Sequence, residues 1–228
     1  MTELRLLSTL AVQGAIEGRL PTWTQALGVP IVARFGPTKM LLEMLAGGEA
    51  ADVVILTQEA VAAGTASGRF AQDTVADLAL SFVGIAQHPG APHPDIATPE
   101  SLVATLLAAR SIAYSGAGAS GLFFAGLIAR LGIAAAVKAK ATVIPGGLTG
   151  ALTMDGRCQY AIQQISELML VPGIDIIGRL PAALQSPGVF TAACTAPAGA
   201  GGRALLALLA APAMAPAYRA AGLEPAMA

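Results

Sequence analysis

The chain has 228 residues, enough for one large domain or two lobes, with 55% hydrophobic and only 12% charged residues. A net charge of −1, one Trp, three Tyr and six Phe leave no basic, aromatic-interleaved patch, which argues against a nucleic-acid partner. Mean hydropathy is +0.67, but Gly or Pro interrupts the apolar windows before about 18 residues, so no membrane insertion is expected.

In chain order, strands are predicted at "LRLLS" (4–8), "PIVARF" (30–35), "ADVVIL" (51–56), "LSFVGIA" (80–86), "SIAYS" (111–115), "ATVIP" (141–145) and "YAIQQI" (160–165). Helix-like segments lie near 10–27, 38–47, 57–64, 99–109, 120–131, 147–155 and 202–210. Strand–helix alternation at this spacing predicts an α/β fold with largely parallel sheets. The first strand-like run begins almost at the N-terminus, so the chain as written reads as cytoplasmic; removal of a leader would make it periplasmic. "HPGAPHP" (88–94) reads as a rigid loop. His88 and His93 have no third ligand nearby, so no metal is expected. Cys158 and Cys194 read as two unpaired thiols. Two extended apolar segments, "LALSFVGIAQHPG" and "SPGVFTAACTAP" (186–197), suit crossover strands between lobes. They divide the chain into lobe one at 1–82 plus 190–228 and lobe two at 83–189.

Gly116, Gly118 and Gly121 form G-x-G-x-x-G between a strand and a helix. A dinucleotide fingerprint also needs an acid about 20 residues on, at the end of the next strand. That strand lies in "KAKATVIPGG", which has none, and no Lys-Ser/Thr closes a phosphate loop. No nucleotide or other cofactor is therefore expected. A helix N-terminus with Ser115, Gly116, Gly118, Ala119 and Ser120 can still hold an anion on free N–H groups and hydroxyls. The structural alternative is Ser120 as a plain N-cap beside a tight glycine turn. Two further strand ends carry the same chemistry: Ser8-Thr9, and Gly36-Pro37-Thr38-Lys39. Ligands of open α/β sheets bind beyond strand carboxyl ends, so the three together predict an anion cleft between the lobes.

These elements resemble, in order, the type II periplasmic binding-protein superfamily, and most closely its molybdate-binding branch. The matching stretches are "LLSTLAVQGAI", "GVPIVARFGPTKMLLEMLAGGEAADVVIL", "IAYSGAGASGLFFAGLIARLGI" and "LLALLAAPAMAPAYRAAGLEP". The resemblance implies a two-lobed fold with two crossover strands as a hinge. It implies ligand groups at Ser8 and Thr9, at Thr38, and at Ser115, Gly116 and Ser120. "YAIQQISEL" matches the strand that supplies a tyrosine ligand in that branch; here the position is Gln164. Gln163 and Gln164 suit carboxylates or amides as well as tetrahedral oxyanions, and Lys39 adds positive charge. The bland reading of the Gln pair is surface polarity on an exposed strand.

Three functions follow. The first is a substrate-binding protein that captures a small anion, an oxyanion or a di- or tricarboxylate, with an ABC permease as partner if exported. The second, implied by relatives of this fold, is a cytoplasmic isomerase of an unsaturated carboxylate such as aconitate. It would work by an allylic proton shift with Glu167 as base and Ser166 or Lys39 assisting. The third is a ligand-sensing regulator. The bland reading of Glu167 is a solvated carboxylate at a helix start.

Overall fold

A computed structural model describes residues 3–226. They form two compact units: the chain up to Ser81 and from Gly188 onward, and Phe82–Pro187. The first unit opens with β1 (Leu4–Thr9), α1 (Gln13–Ile16), α2 (Leu20–Leu27), β2 (Ile31–Gly36), α3 (Thr38–Ala46), β3 (Val53–Thr57), α4 (Gln58–Ala66) and β4 (Ala76–Ser81). The second holds β5 (Val83–Gln87), α5 (Pro99–Ala108), β6 (Ile112–Ser115), α6 (Ala119–Arg130), α7 (Ala134–Lys138) and β7 (Ala141–Ile144). It continues with α8 (Gly150–Met154), β8 (Tyr160–Gln164), α9 (Ile165–Leu168) and β9 (Asp175–Arg179). The first unit resumes with β10 (Gly188–Cys194), α10 (Ala200–Leu209), α11 (Ala215–Ala220) and β11 (Glu224–Pro225).

The sheet of the first unit runs β11-β4-β10-β3-β1-β2. β1 lies parallel to β2 and β3, with Thr9 opposite Gly36 and Ser8 opposite Ile55. Successive strand residues point to opposite faces. Leu6, Val53 and Ile55 join Trp23, Leu205 and Tyr218 in one core, while Leu7, Val54 and Leu56 join Leu41, Val61 and Phe70 in another. Helices cover both faces, which is why β1 and β3 read as continuous apolar runs. The second sheet runs β7-β6-β8-β5-β9, with β6 parallel to β7 and β8 and with β5 antiparallel to β8 and β9. Its larger core holds Val83, Ile85, Ile112, Tyr114, Phe124 and Ile162. On its other face Ala86, Ala113 and Ala161 leave room for α8 and α9 to pack closely.

Within each unit the strand ends share one side with the chain crossings. In the first, Ser81 lies opposite Gly188 and Thr57 opposite Phe190, so the chain leaves and returns at the carboxyl end of β3. In the second, Val83 lies opposite Gln164 and Gly84 opposite Arg179, so it enters and leaves at the carboxyl end of β8.

Several expected elements change. The run at 80–86 is two strands, β4 and β5, separated by Phe82 and belonging to different sheets. The helix expected over 10–27 is broken into 3₁₀ turns at Leu10–Val12 and Glu17–Arg19 around α1 and α2; Gly14, Gly18 and Pro21 weaken a continuous helix there. β9 was not anticipated, because its residues are mostly half-buried and carry no clear alternation. In the 88–94 loop His93 pairs with Asp175 at 2.8 Å. Both cysteines are free and buried, and burial pushes the Cys158 thiol up to about 11. Among the described residues no single helix is long and apolar enough to cross a membrane; α10 and residues 212–220 qualify only as a bent pair. Their residues Leu205, Leu209, Met214, Ala217 and Tyr218 are buried in the core of the first unit.

Candidate functional site

In the first unit, the register that sets Thr9 beside Gly36 brings Ser8, Thr9 and the start of α3 to the same end of the sheet. Ser8 is fully buried and its hydroxyl donates to the Thr9 carbonyl at 3.1 Å. Pro37 takes an extended conformation (φ −60°, ψ 144°) before the first turn of α3. The first α3 amide with a helical acceptor is that of Leu41, which bonds to the Pro37 carbonyl. The preceding amides, on Thr38, Lys39 and Met40, have no partner within the helix and sit at its positive end. Lys39 is exposed there.

In the second unit, the ends of β6 and β8 lie together. Ser115 Oγ accepts from the N–H groups of Ala117 (3.3 Å) and Gly118 (2.9 Å). The Gly116 N–H donates to the Ile144 carbonyl at 2.7 Å. This corrects one expectation: Gly116, predicted as a backbone anion donor, has its N–H spent on extending the β6–β7 ladder. The amides that α6 leaves without an intrahelical acceptor are those of Ala119, Ser120 and Gly121. Ser120 is only 2% exposed and makes no side-chain cap on the helix, so the plain N-cap reading fails. Gly121 has a steric role. A Cβ there would stand 1.7 Å from the Ser115 carbonyl oxygen, so the first turn of α6 rests directly on the end of β6.

The Gln pair is buried, at 2% and 3% exposure, and is not surface polarity on an exposed strand. Alternation along β8 sends the two side chains to different tasks. Gln163 Oε1 accepts from the N–H (2.7 Å) and Oγ1 (2.8 Å) of Thr149, and its Nε2 donates to the Gly147 carbonyl at 2.9 Å. Gln164 Oε1 has no partner. Five buried side-chain oxygens among the described residues lack a hydrogen-bond partner, and three belong to predicted site residues: Thr9, Thr38 and Gln164. Buried polar groups in native proteins are nearly always bonded, so three exceptions at strand ends and a helix start call for an explanation.

Glu167 is not a solvated carboxylate. It is the third residue of α9, and the Gln163 carboxamide and the Gln164 N–H act as donors that favour its charged form. The residue keeps a little exposed surface, but its carboxyl is wrapped by protein. This desolvation outweighs the two donors and pushes its pKa up to about 7. A carboxylate poised near neutrality can both accept and return a proton. Sequence reasoning passed over the Gln163–Thr149 link, because a bond across 14 residues between a strand and a loop leaves no periodic signal.

The chain is 35% identical over 235 aligned residues to a Pseudomonas sp. protein named aconitate isomerase, covering 99% of this chain and 88% of that one. Its fold is similar to the periplasmic molybdate-binding protein of Azotobacter vinelandii (TM-score 0.78, 17% identity, 97% and 98% of the two chains). It is also similar to the sulfate-binding protein SubI of Mycobacterium tuberculosis (TM-score 0.77, 15% identity, 100% and 88%). The family model for bacterial extracellular solute-binding proteins matches residues 4–224. With its two α/β units and two chain crossings, the chain has the type II periplasmic binding-protein fold, and it belongs to the bacterial extracellular solute-binding protein family.

Proposed function

We propose that the protein binds a small unsaturated polycarboxylate such as aconitate and isomerises it by an allylic proton shift. The observation that carries this reading is the 35% identity, across nearly the whole chain, to the protein named aconitate isomerase. Glu167, whose burial pushes its carboxyl up to about 7, supplies the base that such a reaction needs.

Substrate carboxylates would accept from the Thr9, Thr38, Ser115 and Ser120 hydroxyls, the Gln164 amide and the free first-turn amides of α3 and α6. The Lys39 ammonium would add charge complementarity at the α3 start. Glu167 then takes a proton from the methylene carbon. The electron pair left behind spreads over the three-carbon unit and its carboxylates, and the fixed donors stabilise that charge. Protonated Glu167 returns the proton to the former vinylic carbon, so the double bond moves by one position and the two ends exchange roles. No atom is gained or lost, and no cofactor enters.

The test is incubation with cis-aconitate in deuterated water, followed by proton NMR. Deuterium entry and a changing isomer ratio, both abolished in Glu167→Gln while binding persists, are expected. A second reading, anion capture without chemistry and with an ABC permease as partner, is favoured by the family match and by the molybdate- and sulfate-binding neighbours. Tight binding without exchange in the unmodified protein would select it.

A further inference from the structure

Thr65 Oγ1 is another buried oxygen without a hydrogen-bond partner, and Thr65 lines a cavity of about 540 Å³ in the first unit. That volume is in the range of small-molecule sites. α4 packs on β3 and β10, with Val61 in the core beside Leu56 and Ala193. Its neighbouring face carries Gln58, Ala62, Thr65 and Ala66, spaced i, i+4, i+7 and i+8, and this face lines the cavity. The two alanines leave the space open. Asp77 on β4 and Thr191 on β10 line it as well.

The register sets Thr191 beside Asp77, and the Thr191 hydroxyl donates to Asp77 Oδ1. Gln58 Nε2 donates to Asp77 Oδ2 at 2.9 Å. These two neutral donors fix the carboxylate without neutralising it, and about half of its lone-pair sites stay open. No lining residue is Lys, Arg or His, so Asp77 is the only charge in the cavity wall. Arg203, a cation of the same unit, is committed to Asp73 at 2.8 Å. Thr65 adds a hydroxyl with an unmet need. A helical Thr ordinarily bonds to a carbonyl of the preceding turn, as Thr153 does to Gly150 at 2.7 Å. Thr65 makes no such bond.

We propose that this cavity binds a small organic ammonium compound. Asp77 is its counter-ion, Thr65 Oγ1 accepts one of its N–H groups, and Ala62, Ala66 and Val75 meet its carbon chain. None of the lining residues belongs to the groups assigned to the anion, and the charge preference is the opposite one. The plainer alternative is that Asp77 only ties α4 and β10 to β4. Such a tie accounts for the bonds to Gln58 and Thr191, but not for the uncompensated charge or for the unbonded Thr65 hydroxyl.

The experiment titrates n-pentylamine, 1-pentanol and pentanoate, equal in chain length and different in charge, into protein carrying labelled Ala and Thr methyl groups. By NMR, pentylamine should shift the Ala62, Thr65, Ala66 and Thr191 methyl signals saturably, with a Kd on the order of 1 mM for so small a ligand. 1-Pentanol should bind at least about tenfold more weakly, and pentanoate should leave these signals in place. Asp77→Asn keeps the size and removes the charge, and should weaken pentylamine about tenfold. Thr65→Val should weaken it at least about fivefold without lowering the unfolding temperature. Should Asp77→Asn fail to fold, the contrast between amine and alcohol on the unmodified protein still decides. Equal responses to the two, an affinity unchanged in folded Asp77→Asn, or amine shifts that bypass these four methyls would each overturn the proposal.

Discussion

A carboxyl whose pKa rises to about 7 on folding leaves a signature in stability. Glu167 is easily protonated in the folded protein and harder to protonate once unfolded, where its ordinary value is near 4.5. Its favourable share is therefore complete below about pH 4.5 and is lost as pH climbs through 7, where the folded state must hold a desolvated charge. Wild type should lose on the order of 2 kcal/mol between pH 5 and pH 8, and Glu167→Gln should lose much less over the same range. Urea unfolding at five pH values would show this; parallel profiles for the two proteins would mean that Glu167 is solvated after all. The same group sets the expected rate profile, with turnover rising through pH 7 as the base ionises. The sequence marked Glu167 as a candidate because it follows the Gln pair. It could not show which Gln faces a ligand, since that depends on loop 147–149 folding back onto β8.

At the scale of elements, the sequence was most legible where each strand hands over to a helix. The hydroxyls of Ser8, Thr9 and Thr38 and the glycine motif were visible as punctuation after apolar runs, and each lies at a strand end or in the first turn of the helix that follows. Less visible was how each glycine is used. The fingerprint pattern arises from packing: Gly121 lets α6 touch the Ser115 carbonyl, whereas Gly126 in the same helix has only an Arg130 guanidinium nitrogen 3.6 Å from where a Cβ would stand. The two should therefore respond in opposite directions. Gly121→Ala forces backbone against backbone and should cost roughly 2–4 kcal/mol. Gly126→Ala should stabilise by about 0.5–1 kcal/mol, the ordinary helix-interior preference. Thermal unfolding of both settles it; a neutral Gly121→Ala would mean that α6 does not rest on β6. Irregular pieces such as the broken segment from Leu10 to Leu27 escaped sequence reasoning because apolar spacing does not register Gly and Pro as breaks.

For the whole molecule, the decisive question is whether both units serve one ligand. Each unit by itself gathers hydrogen-bonding groups at the end of its sheet where the chain crosses to the other, and each holds a buried oxygen without a partner there: Thr9 and Thr38 in the first, Gln164 in the second. A buried polar atom left unbonded costs stability, and the cost is offset only when something binds it. That yields a paired expectation for each isosteric replacement. Without ligand, Thr38→Val and Gln164→Leu should unfold at the same temperature as wild type or higher, by up to about 1 kcal/mol each, because the unpaired oxygen is gone. With ligand, each should bind cis-aconitate at least about fivefold more weakly, the effect of losing one hydrogen bond to a charged group. Calorimetric titration and thermal unfolding of the same samples read both quantities. Weaker binding from variants in both units, at undiminished stability, assigns one anion to two sets of groups. Reduced stability with unchanged affinity would show that these oxygens serve folding, and the binding site would have to be sought elsewhere in the chain.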